Sequence, residues 1–404
     1  MRPCLRRLLP EAVASHFSFR IYMNTDDDMR TPFPLVSISG APRARGVQYG
    51  QAVPERIAHS ARYYRKELEK IGTSPAQQQA LIDEFSEQIA AFNIAHHEEM
   101  QGIADGSGVS FADIVLINAR TEIIAKARKI KALPPVDPAE GECTAAIVSA
   151  SRSATGKVIQ AHNWDWDPDA RGSTIVLRVH DETGHTLITL VEAGGLARHG
   201  VNSAGIGLTG NYMTCDRDYT QTGVPLSSIR RAALEQQHIA VAMQLIAATP
   251  KACSSNMILT QDDFVIDFEC VPDESFPLYP VDGLLTHANH FVGPIALTKV
   301  REKNLKNALD TYYRDWRARQ LLEKCRDAIT VDDVKQVLAD EWQTPYSISR
   351  PPRGTLTGGR TATVATIVLD TANCQMDVAA MPTFGAVFTR YAIDGDARLV
   401  DGTA

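Results

Sequence analysis

Helical and strand patterns are segregated along this sequence, and the change from one to the other falls at a single short stretch. The stretch 132–141 is rich in proline, which interrupts helices and strands alike. Before it, Ser74 and Pro75 predict the start of a helix, and the apolar residues that follow recur at the spacing of one helix face. After it, short apolar runs alternate with turn residues. The chain therefore combines a helical region with a region of paired strands.

Four strand pairs are predicted beyond the stretch, each joined by a turn. They are 144–148 with 158–162, 174–180 with 187–192, 257–259 with 264–268, and 362–369 with 375–380. Between them the spacing predicts helices over 227–248, about 297–325, and 331–338. Antiparallel pairs with grouped helices favour an α+β layered domain over alternating βαβ units. We therefore predict an irregular arm at 1–32, a mostly helical segment at 33–142 and a strand-rich segment at 143–404.

Composition limits the partners of the chain. The formal charge of -7 comes with no clustered excess of Lys and Arg, so nucleic-acid binding is not expected. The seven cysteines occur singly, which predicts neither a zinc site nor a disulfide scaffold and favours a reducing compartment. No apolar run is long enough to cross a bilayer. We expect a cytoplasmic protein that acts on small molecules and binds no nucleic acid, membrane or metal.

Cys143 stands at the junction of the two patterns, as the first residue of a predicted strand directly after the proline-rich stretch. A peptide bond at such a place can be strained and reached. The predicted hairpin beyond it carries a dense polar and aromatic cluster at 161–167, which is costly to order without a purpose. For an arbitrary cysteine, a semi-buried packing role is the more frequent alternative, and the residues alone leave it open.

Eight motifs follow one order along nearly the whole chain, from about Leu35 to Phe388. They are Arg45–Gly50, Gly102–Ser110, Asn118–Glu122, Glu142–Thr144, His162–Asp165, Gly200–Gly205, Thr286–Phe291 and Arg360–Thr363. Each motif is weak alone, but in this order they resemble the acyl-coenzyme A:6-aminopenicillanic acid acyltransferase family, the C45 peptidase group of N-terminal nucleophile hydrolases. The resemblance implies a four-layer αββα sandwich that is synthesised as one precursor.

The resemblance also implies an autocatalytic cut between Glu142 and Cys143, with 33–142 in the α-chain and 143–404 as the β-chain. The chemistry is self-consistent, because the new terminal amine has an ordinary pKa of about 7.7 to 8.0 and can take the proton of its own thiol. Substrate would acylate the thiol, and water, an amine or another thiol would receive the acyl group. The implied substrate is a small-molecule amide or an acyl-CoA thioester, and no cofactor is expected.

Three further site residues are assigned by the resemblance. Asn289 matches a side-chain donor to the developing oxyanion, Asp165 a residue needed for cleavage and for ordering the new terminus, and Arg360 a basic residue beside the nucleophile. Without the family, Asp165 and Asn289 are turn residues and Arg360 is a solvated strand end. We expect Cys143, Asp165, Asn289 and Arg360 to act as the catalytic residues.

Departures from the fungal acyltransferase pattern bear on the substrate. Glu142 replaces a glycine, Ala145 replaces a threonine and Gly359 replaces a serine. Cleavage is expected to survive these changes, whereas the loss of two hydroxyls near the nucleophile puts the handling of penicillin substrates in doubt. The alternative function is a non-catalytic relative that stays uncut and either binds an acyl ligand or senses oxidants through Cys143.

Other motifs receive structural interpretations. The run Gly205–Gly210 matches GxGxxG, but it has no clear helix after it and no βαβ frame around it, so it does not indicate a dinucleotide site. His96–Glu99 lies on a helical stretch and is expected on a solvated face rather than at a metal. His162, His287 and His290 are interpreted as packing residues, because an N-terminal nucleophile needs no histidine partner.

Overall fold

Two sheets packed face to face form the centre of the protein, shown by a computed structural model that describes residues 31–133, 142–303, 308–325, 328–355, 359–383 and 385–400. Residues 1–30 of the predicted arm and 134–141 of the proline-rich stretch lie outside the described residues. Within these ranges, no helix has the length and apolar content that crossing a bilayer requires.

The strands fall into two sheets that are almost wholly antiparallel. In chain order they are β1 Leu35–Ser39, β2 Cys143–Val148, β3 Ile159–Trp166, β4 Thr174–His180, β5 Thr186–Glu192, β6 His199–Asn202, β7 Gly207–Thr209, β8 Ser255–Gln261, β9 Phe264–Cys270, β10 Ser275–Leu278, β11 Leu284–His287, β12 Arg353–Gly354, β13 Arg360–Asp370, β14 Gln375–Ala380, β15 Phe388–Ala392 and β16 Arg398–Leu399. The first sheet has the order β1-β4-β5-β6-β7-β8-β9-β10, with β1 parallel to β4. The second has the order β11-β2-β3-β13-β14-β15-β16, and β12 pairs with β13. All four predicted strand pairs are confirmed.

Helices cover both outer faces of this pair of sheets. They are α1 Pro42–Ala52, α2 Pro54–Ile71, α3 Pro75–Phe92, α4 Ile94–Ser107, α5 Phe111–Asn118, α6 Arg120–Ile130, α7 Leu226–Leu234, α8 Ile239–Ala248, α9 Pro294–Lys299, α10 Asp310–Lys324 and α11 Val331–Leu338. The predicted start of α3 is confirmed, since the Ser74 side chain accepts a hydrogen bond from the Gln77 backbone N–H.

The layers follow from where the apolar side chains pack. Between the sheets, Val176, Ile188 and Val201 of the first sheet pack with Ile367 and Met376 of the second. Side chains of α1–α8 share a core with the other face of the first sheet, and α10 and α11 cover the second. Strands covered on both faces are buried along most of their length, which is why they read as continuous apolar runs. The αββα sandwich expected from the resemblance is confirmed.

The predicted helix over 227–248 is wrong in one respect, because it is two helices with a break at 235–238. The Asn202 side-chain amide donates to the carbonyl oxygens of Leu234 and Gln236, at 2.8 and 2.7 Å, and so satisfies the end of α7. His238 then accepts a hydrogen bond from the Ala240 backbone N–H at 3.1 Å and caps α8. The predicted helix over about 297–325 is also wrong, because this stretch contains the end of α9 and the whole of α10.

Two of the motifs explain how α1 and α4 pack. A Cβ atom added at Gly46 would lie 2.1 Å from the Glu99 carbonyl oxygen, and one added at Gly102 would lie 2.1 Å from the Arg43 carbonyl oxygen. The helix backbones are therefore in direct contact. The expectation of a solvated face at His96–Glu99 is wrong, because both end residues are fully buried. Glu99 binds Arg231 of α7 through both carboxylate oxygens, at 3.0 and 2.8 Å.

Candidate active site

Cys143 is the first residue of β2 and lies between the two sheets. Its side chain is 3% exposed and belongs to the apolar cluster that contains Trp164 and Val364. β2 runs between β11 and β3, and Cys143 lies opposite Trp164 in the register with β3. Cys143 also forms part of the wall of a cavity of about 420 Å³. A small molecule in this cavity can therefore contact Cys143.

The peptide unit that joins Glu142 to Cys143 is held on both sides. The Glu142 carbonyl oxygen accepts a hydrogen bond from the Asp165 backbone N–H at 2.9 Å. The Cys143 N–H donates to Asn289 Oδ1 at 2.7 Å. The first bond extends the β2–β3 ladder one residue beyond β2, so the sheet itself aims a donor at this carbonyl. A donor placed there stabilises the negative charge that develops if the carbonyl is attacked.

Asn289 reaches Cys143 because β11, which precedes it, pairs with β2. Its Oδ1 also accepts from Arg314 Nη2 at 3.0 Å, and its Nδ2 donates to the Tyr212 carbonyl oxygen at 2.8 Å. Donors therefore surround one end of the side-chain amide and an acceptor meets the other, which assigns its orientation. In that orientation, Asn289 Oδ1 faces Cys143 and accepts the hydrogen bond from its backbone N–H.

Asp165 lies near the end of β3, in register with Glu142 and one position from the partner of Cys143, and is fully buried. Its Oδ1 accepts a hydrogen bond from Thr363 Oγ1 at 2.7 Å, and its Oδ2 lies 3.3 Å from Arg350 Nε. Burial raises the pKa of this carboxyl to about 7, although the positive charge of Arg314 and the Thr363 hydrogen bond oppose the rise. Asp165 can therefore exchange a proton near neutral pH, as a general base must.

The surroundings of the Cys143 thiol favour its neutral form. Burial raises its pKa to about 12, and the nearby Asp165 carboxylate adds to the rise. The Asp165 backbone N–H, Arg314 and Arg230 act in the opposite direction, because each favours a negative sulfur. An attack by this sulfur thus requires a base that accepts its proton during the reaction.

Arg314, on the inner side of α10, is a site residue that the sequence reasoning missed. It is fully buried and donates to the Cys143 carbonyl oxygen, and to Thr144 Oγ1 at 2.9 Å. In the sequence, Arg314 is marked by its spacing of four residues from Asp310, with which it pairs at 3.2 Å. That spacing is typical of exposed helix surfaces, so it did not indicate a site.

Arg350 is the second missed residue, and it holds the Glu142 side chain. Both side chains are fully buried, and Arg350 also contacts the carboxylates of Asp165 and Asp310. Arg353 adds a contact of 3.3 Å to Glu142. The glutamate that replaces the family's glycine is therefore anchored by two arginines directly before Cys143.

Arg360 is not brought together with the other three predicted residues. Its side chain is 53% exposed and pairs with Asp169 at 2.7 Å and with Asp167 at 3.3 Å. Both carboxylates follow β3 at the surface, and they hold the guanidinium away from the buried site. Among the described residues, Arg314 and Arg230 are the arginines whose charge acts on Cys143, in the place expected for Arg360.

The cavity lies between the helical segment and the strand-rich segment. Its walls include Tyr64 and Arg120 from the helices, and Trp164, Trp166, Glu192 and Arg198 from β3, β5 and the turn after β5. The Arg120 guanidinium lies 4.3 Å from the Trp166 ring and the Arg198 guanidinium 4.4 Å from the Trp164 ring. Glu192 pairs with both arginines, at 2.8 and 3.3 Å. The volume is in the range that holds a small molecule.

The histidines in the quoted motifs have no hydrogen bond to Cys143 among the described residues, and neither ring nitrogen of His162 has a hydrogen-bond partner there. His162 is buried against His199, with ring centroids 4.2 Å apart, and burial lowers its pKa to about 3. His287 Nε2 is 3.1 Å from Glu269 Oε1; burial opposes its protonation, but Asp267 and Glu269 raise its pKa to about 9. His290 Nδ1 lies 3.0 Å from Thr311 Oγ1.

The GxGxxG run and the possible metal ligands both have structural surroundings. Gly205–Gly210 contains β7, a strand in the interior of the first sheet. In the part of the chain that the structure describes, no group of three or more His, Cys, Asp or Glu side chains is placed to hold a metal ion.

The αββα sandwich has a thiol at the start of an inner strand and a cavity beside it, and together with the family match below it defines an enzyme of the acyltransferase class. The sequence profile of the acyl-coenzyme A:6-aminopenicillanic acid acyl-transferase family matches residues 152–381, and the chain belongs to this family. The matched region contains Asp165, Asn289 and Arg360 and begins after Cys143.

Individual relatives are distant. The chain is 24% identical to the 40 kDa form of acyl-coenzyme A:6-aminopenicillanic-acid-acyltransferase from Emericella nidulans, over 78% of this chain and 84% of that protein. Among solved structures, penicillin V acylase from Agrobacterium tumefaciens matches with a TM-score of 0.39 and 11% identity, over 59% of this chain and 83% of that one. A variant of conjugated bile acid hydrolase from Clostridium perfringens matches with a TM-score of 0.42 and 10% identity, over 65% and 97%.

Proposed function

We propose that the chain is a self-processing cysteine amidohydrolase or acyltransferase that cuts itself between Glu142 and Cys143. One observation carries the proposal. The carbonyl of Glu142 and the nitrogen of Cys143 are held on opposite sides, by Asp165 N–H and Asn289 Oδ1, while the Cys143 side chain forms part of a cavity wall. This arrangement presents a fixed carbonyl to the thiol of the next residue.

The proposed cut begins when Cys143 Sγ attacks the Glu142 carbonyl carbon and Asp165 takes the thiol proton. The carbonyl oxygen, which becomes negative, already accepts a hydrogen bond from the Asp165 N–H. The C–N bond then breaks, and the proton passes to the departing Cys143 nitrogen, beside Asn289 Oδ1. Water hydrolyses the resulting thioester, which frees the Glu142 carboxylate and restores the thiol.

Turnover uses the same groups with a new base. The freed amine of Cys143 has an ordinary pKa of about 7.7 to 8.0, so at neutral pH it can take the thiol proton. The Asp165 N–H, no longer occupied by Glu142, is free to bind the oxygen of a substrate carbonyl. Asn289 Oδ1 orients the amine; its assignment by resemblance as an oxyanion donor stays a prediction. Water or an amine receives the acyl group.

The substrate class follows from the cavity and from the family. The relative from Emericella nidulans is named for acyl transfer between coenzyme A and an amine, so acyl-CoA thioesters and small-molecule amides are the substrates we propose. Two of the departures remove a hydroxyl group. Of these, Gly359 lies in the cavity wall, whereas Ala145 packs in an apolar cluster. The change at Gly359 therefore bears more directly on which amine is accepted.

The alternative of an oxidant sensor is not favoured. A sensor cysteine needs an accessible thiolate, and burial raises the pKa of Cys143 to about 12. An uncut chain with a neutral, buried thiol would react slowly with oxidants.

Intact mass and N-terminal sequencing test the proposal. The wild-type protein is expected as two pieces, one of which begins at Cys143, and Cys143→Ala as a single chain. Cys325→Ala, at the end of α10 and away from the cavity, is the matched control and should be cut normally. A wild-type chain that stays intact would falsify the self-processing mechanism.

A further inference from the structure

Arg230 is a buried arginine for which the described part of the chain offers no ion-pair partner. It lies on α7, is 7% exposed and forms part of the wall of the same cavity as Cys143. Its Nε is buried and has no hydrogen-bond partner within the described residues. Its charge is close enough to Cys143 to favour the thiolate. A buried guanidinium of this kind has a desolvation cost at Nε that no protein acceptor in the described ranges offsets.

Two other arginines of the cavity wall differ in this respect. Arg120 and Arg198 both pair with Glu192, and each lies over a tryptophan ring. The carboxylate that most influences Arg230 besides the thiol is Glu122, and its Oε1 accepts the Leu226 backbone N–H at 2.9 Å instead. Burial also raises the pKa of Glu122, which weakens it as a counter-ion.

The neighbouring residue explains why Arg230 faces the cavity. Arg231 binds Glu99 through both carboxylate oxygens and is fully buried on an adjoining face of α7. Consecutive side chains point about 100° apart around a helix, so the Arg231–Glu99 pair sets the rotation of α7. The pair between Arg231 and Glu99 therefore directs Arg230 toward the cavity that contains Cys143.

We infer that Arg230 binds a carboxylate of the substrate, close to the carbonyl that Cys143 attacks. This inference rests on the proposed function and narrows its substrate class to carboxylate-bearing amides or thioesters. A guanidinium matches a carboxylate through two parallel hydrogen bonds. The phosphates of an acyl-CoA are a poorer match, because the long pantetheine arm separates them from the thioester. The carboxylate can belong to the acyl group or to the amine.

Matched substrate pairs test the inference and separate the two sources. One pair is glutaryl-p-nitroanilide and its terminal carboxamide, with the charge on the acyl side. The other is 6-nitro-3-phenylacetamidobenzoic acid and its carboxamide, with the charge on the amine side. For at least one pair, Arg230→Met is expected to lower the ratio of kcat/KM for carboxylate over carboxamide by about 10- to 100-fold. Arg198→Met, which removes a paired cavity arginine, should change that ratio less than twofold.

Binding and mass measurements keep the outcomes distinct. Glutarate and 3-aminobenzoate are titrated calorimetrically into wild type, Arg230→Met and Arg230→Lys, and the Lys variant is expected to bind with intermediate affinity. Ratios and affinities that are the same in wild type and Arg230→Met, or a wild type that binds neither carboxylate, would overturn the inference. A chain that stays uncut yet loses carboxylate binding in Arg230→Met contradicts the proposed function alone.

Discussion

Single residues at this site have roles set by their surroundings rather than by their chemical type. Asp165 supplies a carboxylate whose pKa burial raises to about 7, and its backbone N–H serves the Glu142 carbonyl at the same time. A carboxyl with an ordinary pKa would be a weak base at neutral pH. One residue thus provides the proton acceptor and the oxyanion donor for the proposed cut.

The pH dependence of cutting tests the role of Asp165. A base acts only when it is deprotonated, so the rate of cutting should rise with pH through about 7 and then level off. Asp165→Asn should lose this rise and cut about 10²- to 10⁴-fold more slowly. The measurement is the disappearance of full-length chain on gels after cell-free synthesis at pH 5.5 to 8.5.

Asp167→Asn is the control, because Asp167 lies two residues further along and pairs with Arg360 at the surface. It should keep both the rate and the pH profile of wild type. If Asp165→Asn retains the wild-type pH profile, another group is the base.

At the scale of elements, the site is where β2, β3, β11 and α10 converge. β11 brings Asn289, β3 brings Asp165 and α10 brings Arg314 to the start of β2. Arg314 connects α10 to the backbone of Cys143 and to the side chains of Thr144 and Asn289. The helix layer over the second sheet is therefore tied to the nucleophile through one buried side chain.

Removing Arg314 should destabilise the fold strongly. Arg314→Leu in a Cys143→Ala background, which is expected to keep the chain uncut, leaves several buried acceptors without donors. We expect the free energy of unfolding to fall by about 3 kcal/mol. Arg43→Leu removes the exposed pair with Asp105, between α1 and α4, and should cost less than about 1 kcal/mol. Urea unfolding followed by circular dichroism compares the two, and equal losses would contradict the role given to Arg314.

Elements were predictable where their signals are local. Strand pairs and helix caps depend on alternation, turn residues and side chains within a few positions, and these were confirmed. The break between α7 and α8 was missed because it depends on Asn202, a residue of β6. Arg314 and Arg350 were missed for the same reason, since they meet Cys143 and Glu142 only through the fold. The resemblance assigned Arg360 as a basic residue beside Cys143, but the location of its side chain depends on its pairs with Asp167 and Asp169.

At the scale of the whole molecule, the two proposed chains share one core and one cavity. Apolar side chains of α1–α6 pack with strands of the first sheet, and the cavity wall includes residues from both sides of the cut. β1, from the proposed α-chain, pairs with β4 along five residues. Neither piece could be removed without exposing a large apolar surface to water.

The two pieces are therefore expected to stay together after cutting. A protein tagged at the N-terminus should retain 143–404 on the affinity resin in buffer and release it in 6 M guanidinium chloride, as judged by mass. The Cys143→Ala chain is the uncut reference. Release of 143–404 without denaturant would contradict the shared core.

In the proposed mechanism, the hydrogen bond between Asp165 N–H and the Glu142 oxygen makes the uncut chain an occupant of its own catalytic centre. Once cut, Glu142 carries a second negative charge beside the side chain that Arg350 and Arg353 already hold. The newly made chain end is then a tethered product, and it must withdraw before any outside carbonyl can take its position. Activity should consequently lag behind the cut, and the length of that delay would report how tightly the two arginines keep the severed end in place.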